Sequence, residues 1–406
     1  MNKNRQQKKW RGRTIRFMSA QTISLFGSSL VQYAIIWYIT LTTSSGIMMT
    51  ISTACGFVPQ IVISLFAGVW IDRYDRKRMC MLADAVIAAS TLILALLFLG
   101  GYRSVWLLFL VLLIRSAGTG IQTPAVNALI PQMVPAEHLM KINGINSTIS
   151  SLMMFLSPAV SGAILSVAAI ETTFFIDVIT AAIGIGIMFT ITIPPLRSIQ
   201  GERSFEKESV IQEMKYGFRY LKDQQSIRNL LLFQIVVLIL ISPSAFLTPL
   251  MVSRTFGAQV WRLTFSEMTF SAGAAAGGLL IAAWGGFSSR LHTTVLAGFL
   301  YGILMIGLGI SPVYPVYLVC NFLIGVTMPC YNAPINVMIQ EQADPAMHGR
   351  IFSFMQITNA CALPLGMLIF GPLADATRVQ NLLIFGGIAV VCCTLYTGKK
   401  NRSLCT

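Results

Sequence analysis

Four ionisable side chains stand inside apolar runs of this sequence that are long enough to cross a bilayer: Asp84, Arg115, Asp177 and Glu267. A charge at bilayer depth costs at least about 2.5–3.5 kcal/mol, so each needs a reason to be there. Asp177 and Glu267 come from opposite halves of the chain and would sit at similar depth, so they can face one cavity. A carboxylate in such a cavity can take a proton from one side and release it on the other, and it can hold a cationic ligand while ionised. Competition between proton and ligand would then couple their movements. The alternative is structural, with one or both carboxylates paired with Arg115 or a helix end. Arg115 keeps its charge, so it must pair with a carboxylate or tune one. Asp84 lies close to the charged stretch "IDRYDRKR" and is expected to join that stretch's ion-pair network.

The elements that must position these groups are membrane helices. Hydrophobic residues make up 55% of the 406-residue chain and charged residues only 11%, whereas soluble domains carry about 25% charge. A span needs about 20 mostly apolar residues. Twelve stretches qualify, at 16–38, 47–70, 79–99, 103–123, 143–167, 171–193, 226–250, 262–284, 291–310, 314–339, 350–372 and 380–398. Helices are expected for all of them, because each backbone group must be satisfied within its own segment. The fold class is therefore all-α and integral to the membrane, with twelve transmembrane helices. The expected organisation is a six-helix half at 1–193, a linker at 194–225 and a second six-helix half at 226–406. From Ser209 the linker carries Val210, Met214, Phe218 and Leu221 on one stripe, the pattern of an amphipathic surface helix. A plain flexible linker is the other reading.

Charge sets the expected orientation. With the N-terminus inside, 24 of the 29 Lys and Arg fall on the inner side, four on the outer side, and Arg115 within a span. That bias puts both termini in the cytoplasm. It also accounts for the net charge of +14 without nucleic acid, since the basic residues lack the aromatic interleaving of a nucleic-acid groove. No cleavable leader is expected, because the first apolar run is long enough to span and no small-residue cleavage site follows. The eight cysteines form no C-x-x-C pair, and His138, His292 and His348 lack ligand spacing, so no metal site is expected. There is no G-x-x-x-x-G-K-[ST] sequence and no nucleophile–base set, which argues against an ATP-driven pump and against an enzyme.

The halves echo each other. "TPAVNALIPQMVPAEHLMKINGINSTISSLMMFLSPAVSG" begins at Thr123 and "YNAPINVMIQEQADPAMHGRIFSFMQITNACALPLG" at Tyr331. Each has Pro and Asn near the end of a span, a polar loop with Pro135 or Pro345, and a mid-span Pro158 or Pro364. Two related six-span halves are a transporter plan, with the substrate site between them near the midplane. Gln21, Gln32, Tyr33, Trp37, Asn127, Asn146, Asn332, Asn336, Gln356 and Asn359 add polarity inside spans, and some of them should line a cavity. The crowd of small residues from Gly273 to Gly278 reads as close helix packing.

Three motifs give the chain a family. "GVWIDRYDRKR", between the second and third spans, resembles the signature loop of the major facilitator superfamily, G-x-x-x-D-R-x-G-R-[RK]. Gly68, Asp72, Arg73, Arg76 and Lys77 match it, and Asp75 replaces a Gly whose usual service is a tight turn. "LLIRSAGTG" partly matches the family's fourth-helix motif through Arg115. "SPAVSG" resembles the antiporter motif G-P-x-x-G-G, keeping Pro158 and Gly162 but with Ser157 and Ser161 replacing two glycines. The wording across residues 14–395 is similar to bacterial macrolide-efflux proteins, Asp75 included, and secondarily to single-component tetracycline exporters. The resemblance implies a major facilitator fold in the bacterial plasma membrane. It also implies drug/proton antiport of an amphiphilic antibiotic of the macrolide or tetracycline class, conferring resistance. The expected partners are the drug, protons and the lipid bilayer, with no cofactor, and the chain is expected to act as a monomer. It further implies a conformational latch formed by Gly68, Asp72, Arg73, Asp75, Arg76 and Lys77, with Asp84 beside them and Asp72 near the helix that begins around Gly349. Export of an endogenous amphiphile such as a siderophore or lysolipid is the alternative.

Overall fold

The computed structural model describes residues 2–193, 224–344 and 348–400. The expected linker and its surface helix therefore lie outside the described residues, apart from the last two positions. Every regular element described is helical. The first six long helices are α1 (Asn2–Thr43), α2 (Gly46–Arg73), α3 (Arg76–Leu99), α4 (Val105–Met133), α5 (Leu139–Val167) and α6 (Ile170–Phe189). After the undescribed segment come α7 (Gln225–Phe246), the short α8 (Thr248–Thr255), α9 (Val260–Trp284), α10 (Arg290–Ile310), α11 (Tyr314–Gln342), α12 (His348–Ala376) and α13 (Val379–Lys400). Among the described residues there are twelve helical segments long and apolar enough to cross a membrane, with α7 and α8 together making one of them. Each expected span falls on one of the twelve.

The chain separates into two compact units, one of Met1–Thr42 with Ile51–Ile199 and the other of Thr43–Thr50 with Gln200–Thr406. In the first unit, Phe17, Ala67, Cys80, Leu129, Met133 and Met188 form a buried core at the end where α2 gives way to α3. α3 shows how sequence pattern becomes a membrane helix. Its buried residues, among them Cys80, Asp84, Ile87, Thr91, Leu94 and Phe98, recur at helical spacing. The opposite face exposes Leu82, Val86, Ile93 and Leu96. The outward face is thus large and apolar, while the polar Asp84 and Thr91 lie on the buried face among apolar neighbours.

The internal echo survives in the helices. α4 and α11 are each 29 residues long and each contain two prolines beyond the first turn, Pro124 and Pro131 in one, Pro329 and Pro334 in the other. α5 and α12 are also 29 residues each, with Pro158 and Pro364 inside them. The fourth span runs ten residues past its expected end at 123, to Met133. A proline within a helix removes only one backbone donor, and neighbours can meet the carbonyls around it. Here Arg76 Nη1 donates to the carbonyl of Ala128 at 3.0 Å.

In the second unit the small residues of α9 lie against α11. A Cβ on Gly273 would overlap the carbonyl of Phe322, one on Gly277 would overlap that of Val326, and one on Gly325 that of Phe270. Only hydrogen fits at these three backbone crossings. Gly278, next along α9, faces open space. Gly277→Leu is therefore expected to lower the melting temperature of the detergent-purified protein by an amount equivalent to at least about 1–3 kcal/mol. Gly278→Ala is expected to leave it unchanged or slightly higher.

Candidate functional site

In the first unit, helical spacing lines up polar residues in two layers. Ser24 and Ser28 are one turn apart on α1. Asp84 and Thr91 on α3, and Arg115 and Gln122 on α4, are each seven residues apart, about 10 Å along a helix. α6 contributes Asp177.

The first layer is an ion pair. Arg115 Nη1 donates to Asp177 Oδ2 at 2.5 Å and to Thr91 Oγ1 at 2.5 Å, and Nη2 donates to the Ser28 carbonyl at 3.1 Å. Ser28 Oγ donates to the other carboxylate oxygen, Oδ1, at 3.2 Å. Asp177 is fully buried and Arg115 is 5% exposed. The guanidinium thus ties α1, α3, α4 and α6 together, and each formal charge meets its opposite. A Cβ on Gly27 would approach the Asp177 backbone to 2.9 Å, so a glycine is what lets α1 come this close to α6.

The second layer holds a carboxylate with no cation. Asp84 Oδ1 accepts from Gln122 Nε2 at 2.5 Å and from Ser24 Oγ at 3.2 Å. It is 4% exposed. Both donors are neutral, and no ion pair reaches Asp84 among the described residues. The expectation that Asp84 joins the charged loop's ion-pair network is thereby corrected. Asp84 lies two turns along α3 from its start, with its side chain turned inward to α1 and α4. A cavity of about 310 Å³ touches both layers through Arg115 and Gln122, and Ser28, Gln32, Gln60 and Thr119 also line it. Sequence reasoning missed Ser24, Ser28, Thr91 and Gln122. Their signal was the repeated one-turn and two-turn spacing of polar residues within apolar helices.

Glu267 belongs to the second unit, on α9, so it is not part of these layers. It is partly buried, with no hydrogen bond among the described residues, and lies near the phenol of Tyr317. That phenol is hydrogen-bonded to Ser266 Oγ at 2.7 Å, and Asn321 Nδ2 donates to the Ser266 carbonyl at 2.7 Å. On α7, Gln234 Nε2 donates to Asn359 Oδ1 of α12 at 2.9 Å.

A family model described as the Major Facilitator Superfamily matches residues 17–367. The chain belongs to that superfamily. It is 30% identical to "Macrolide efflux protein A" of Streptococcus pyogenes over 396 residues, covering 97% of each chain. It is 31% identical to the protein of that name from Enterococcus faecalis, covering 77% of this chain and 96% of the relative. Among solved structures, a nucleoside transporter superposes with a TM-score of 0.71 at 13% identity, covering 95% of this chain and 98% of the other. The chain is thus a transporter, not an enzyme, and a multi-pass protein of the bacterial plasma membrane.

The superfamily's signature loop takes a definite form here. Asp75 is the N-cap of α3, with φ −63° and ψ 113°, and its Oδ1 accepts from the Arg78 backbone N–H at 2.9 Å. The turn needs no left-handed residue at this position, so it does not call for the glycine of the motif. An aspartate here supplies a cap that glycine lacks. Lys77 Nζ donates to the Ile191 carbonyl at 2.7 Å, just past the end of α6, where a cation complements the helix dipole. Arg76 serves Ala128 as described above, and Arg73 is exposed. The surroundings of Gly68, the side chain of Asp72 and the side chains around Gly349 lie outside what is described. The stretch that resembles the antiporter motif forms the buried face of α5, made of Ser157, Pro158, Ser161 and Gly162. Ser161 Oγ donates to the Leu30 carbonyl of α1 at 3.2 Å, which shows how serine fits where the motif has glycine.

Arg115→Met would leave Asp177 as an unpaired charge among buried atoms, at a cost of about 3–5 kcal/mol. The expected result is a large drop in melting temperature. Removing both charges in Arg115→Met/Asp177→Leu is expected to recover most of it, because two apolar groups need no pairing. Thermal unfolding in detergent measures both.

Proposed function

We propose that this chain exports an amphiphilic antibiotic of the macrolide class from the cell in exchange for protons, and so confers resistance. The observation that carries the substrate class is the near end-to-end 30% identity to a macrolide efflux protein. The tetracycline class is the second candidate by sequence resemblance. In this reading both termini are cytoplasmic, as the Lys and Arg distribution favours.

Acids inside the membrane supply the means of coupling. A proton neutralises a carboxylate that has no other counter-charge. Arg115 already supplies that charge to Asp177, whereas Asp84 and Glu267 have no cation among the described residues. In the proposed cycle, Asp84 and Glu267 exchange protons. The Arg115–Asp177 pair holds the helices around Asp84 and sets the local field, and Asp177 takes a proton only when Arg115 moves away from it. Amide and hydroxyl walls, as at Gln32, Gln60 and Thr119, give protons and water a polar route through an apolar helix bundle.

Two assays test this. Expression in an efflux-deficient bacterium is expected to raise resistance to erythromycin, with a protonophore abolishing the effect. Tetracycline, chloramphenicol and a cationic dye serve as competitors for the substrate assignment. Resistance to none of them would point instead to an endogenous amphiphile. In inside-out vesicles, Asp84→Asn and Glu267→Gln are each expected to cut drug-driven proton exchange on the order of tenfold, with folding intact. Undiminished exchange in both would sink the coupling assignment.

A further inference from the structure

Gln122 touches two things at once. Its side chain lines the cavity of about 310 Å³ in the first unit, and its Nε2 donates to Asp84 Oδ1 at 2.5 Å. Asp84 does not line that cavity, and neither does Ser24, its other donor. The wall therefore meets this acid through the amide of Gln122. A carboxamide has two unlike ends, a donor NH₂ and an acceptor oxygen. With Nε2 on Asp84, Oε1 is left over. Oε1 accepts no hydrogen bond among the described residues, and Gln122 is only partly buried. It is the end available to whatever the cavity holds.

The two ends suit the two forms of Asp84. An ionised carboxylate only accepts, so it takes Nε2. A protonated one carries an O–H that donates, and Oε1 is the acceptor for it. A half-turn of the amide exchanges the ends without moving the helix, because that torsion is two-fold and soft. The rest of the wall selects what can bind. Ser116 Oγ donates to the Gly56 carbonyl at 2.7 Å and Thr119 Oγ1 to the Arg115 carbonyl at 2.9 Å, so these hydroxyls can only accept from a ligand. No carboxylate is among the described residues of the wall, and Arg115, which is, already pairs with Asp177. The cavity thus fits a neutral group that brings its own donors, the hydroxyls of an amphiphile, and has nothing to balance an ammonium.

We propose that a hydroxyl of the transported amphiphile and the proton of Asp84 compete for Oε1 of Gln122. A hydroxyl that donates to Oε1 holds Nε2 on Asp84, which is then bound as the carboxylate, its proton having passed to water. A proton on Asp84 turns Oε1 toward the acid and puts an N–H where the hydroxyl had its acceptor, so the substrate O–H loses its partner. Gln122 is thus a positioning residue that acts through Asp84. This rests on the proton exchange proposed above for Asp84 and adds the atom over which ligand and proton exclude each other. By linkage, each weakens the other by the same factor. The titratable groups near enough to act on Asp84 are Cys80 on its own helix and Asp177 on α6, and Arg115 of α4 already balances Asp177. α1 and α4 meet it with the neutral Ser24 and Gln122.

The test uses the full chain purified in detergent, with Gln122→Met, which keeps the side chain's length and removes both ends of the amide. In the first arm no ligand is present. Infrared difference spectra between acid and neutral solution isolate the acid C=O stretch of Asp84, identified by its loss in Asp84→Asn. In Gln122→Met that band is expected at higher frequency, because the acid O–H has lost its acceptor, and an unmoved band would overturn the proposal. Absence of the band from the unaltered chain would instead remove the proton exchange at Asp84, and this inference with it. In the second arm, erythromycin affinity is measured on either side of the pH at which the band titrates. The unaltered chain is expected to bind about tenfold more weakly when Asp84 is protonated, and Gln122→Met equally at both. A pH dependence that survives in Gln122→Met would overturn the role of Gln122. If the unaltered chain binds no erythromycin, the substrate assignment fails while the infrared arm still decides the exchange of amide ends.

Discussion

An ionised group in hydrocarbon has to be solvated by the protein itself, and Arg115 shows what that requires. Its guanidinium has a carboxylate, a hydroxyl and a backbone carbonyl around it, drawn from three other helices of the first unit. The same bonds that solvate the charge fix the spacing of α1, α3, α4 and α6. Remove one partner and the others lose their reason to be polar. Asp84, one layer away, has hydrogen bonds but no opposite charge among the described residues. The contrast is between a neutralised pair and an acid held by neutral donors, among residues that look alike in sequence.

At the helix ends the same chemistry serves a different purpose. A helix terminus exposes unpaired donors or acceptors and a partial charge. Asp75 caps the start of α3, Lys77 meets carbonyls beyond the end of α6, and Asp375 caps the start of α2. Local caps such as Asp75 stay with their own helix. A cap supplied by another helix, as Asp375 is, ties two elements together for as long as its bonds last. These charged residues are thus terminators and ties. In the second unit, backbone contact at Gly273, Gly277 and Gly325 joins α9 to α11 with no polar bond at all. That contact has no solvated alternative, so it suits a permanent crossing.

Much of this was legible in the sequence. Runs of apolar residues gave all twelve spans, because length and hydropathy alone decide whether a segment can cross a bilayer. The repeat of Pro158 and Pro364 marked equivalent helices. The signature loop and Arg115 pointed to the superfamily. Where the reading erred, it extrapolated along the chain. The expected fourth span ends at Thr123, yet the proline and polar residues that follow are helical through Met133. Asp84 was assigned to the charged loop because it is near in sequence, yet its side chain points the other way around the helix.

By itself, then, the sequence determined which segments lie in the membrane, how many there are, and which few residues bring charge there. These are properties of single segments and of composition, and lipid imposes them on each helix separately. The tertiary structure alone decided partnership: that Asp177 belongs to Arg115, that Asp84 is held by Ser24 and Gln122, and that Asp375 serves Gly46 from more than three hundred residues away. A hydrogen bond is decided at about 3 Å, between atoms whose helices are brought together by packing. Spacing along a chain carries no record of which face of which helix will be opposite.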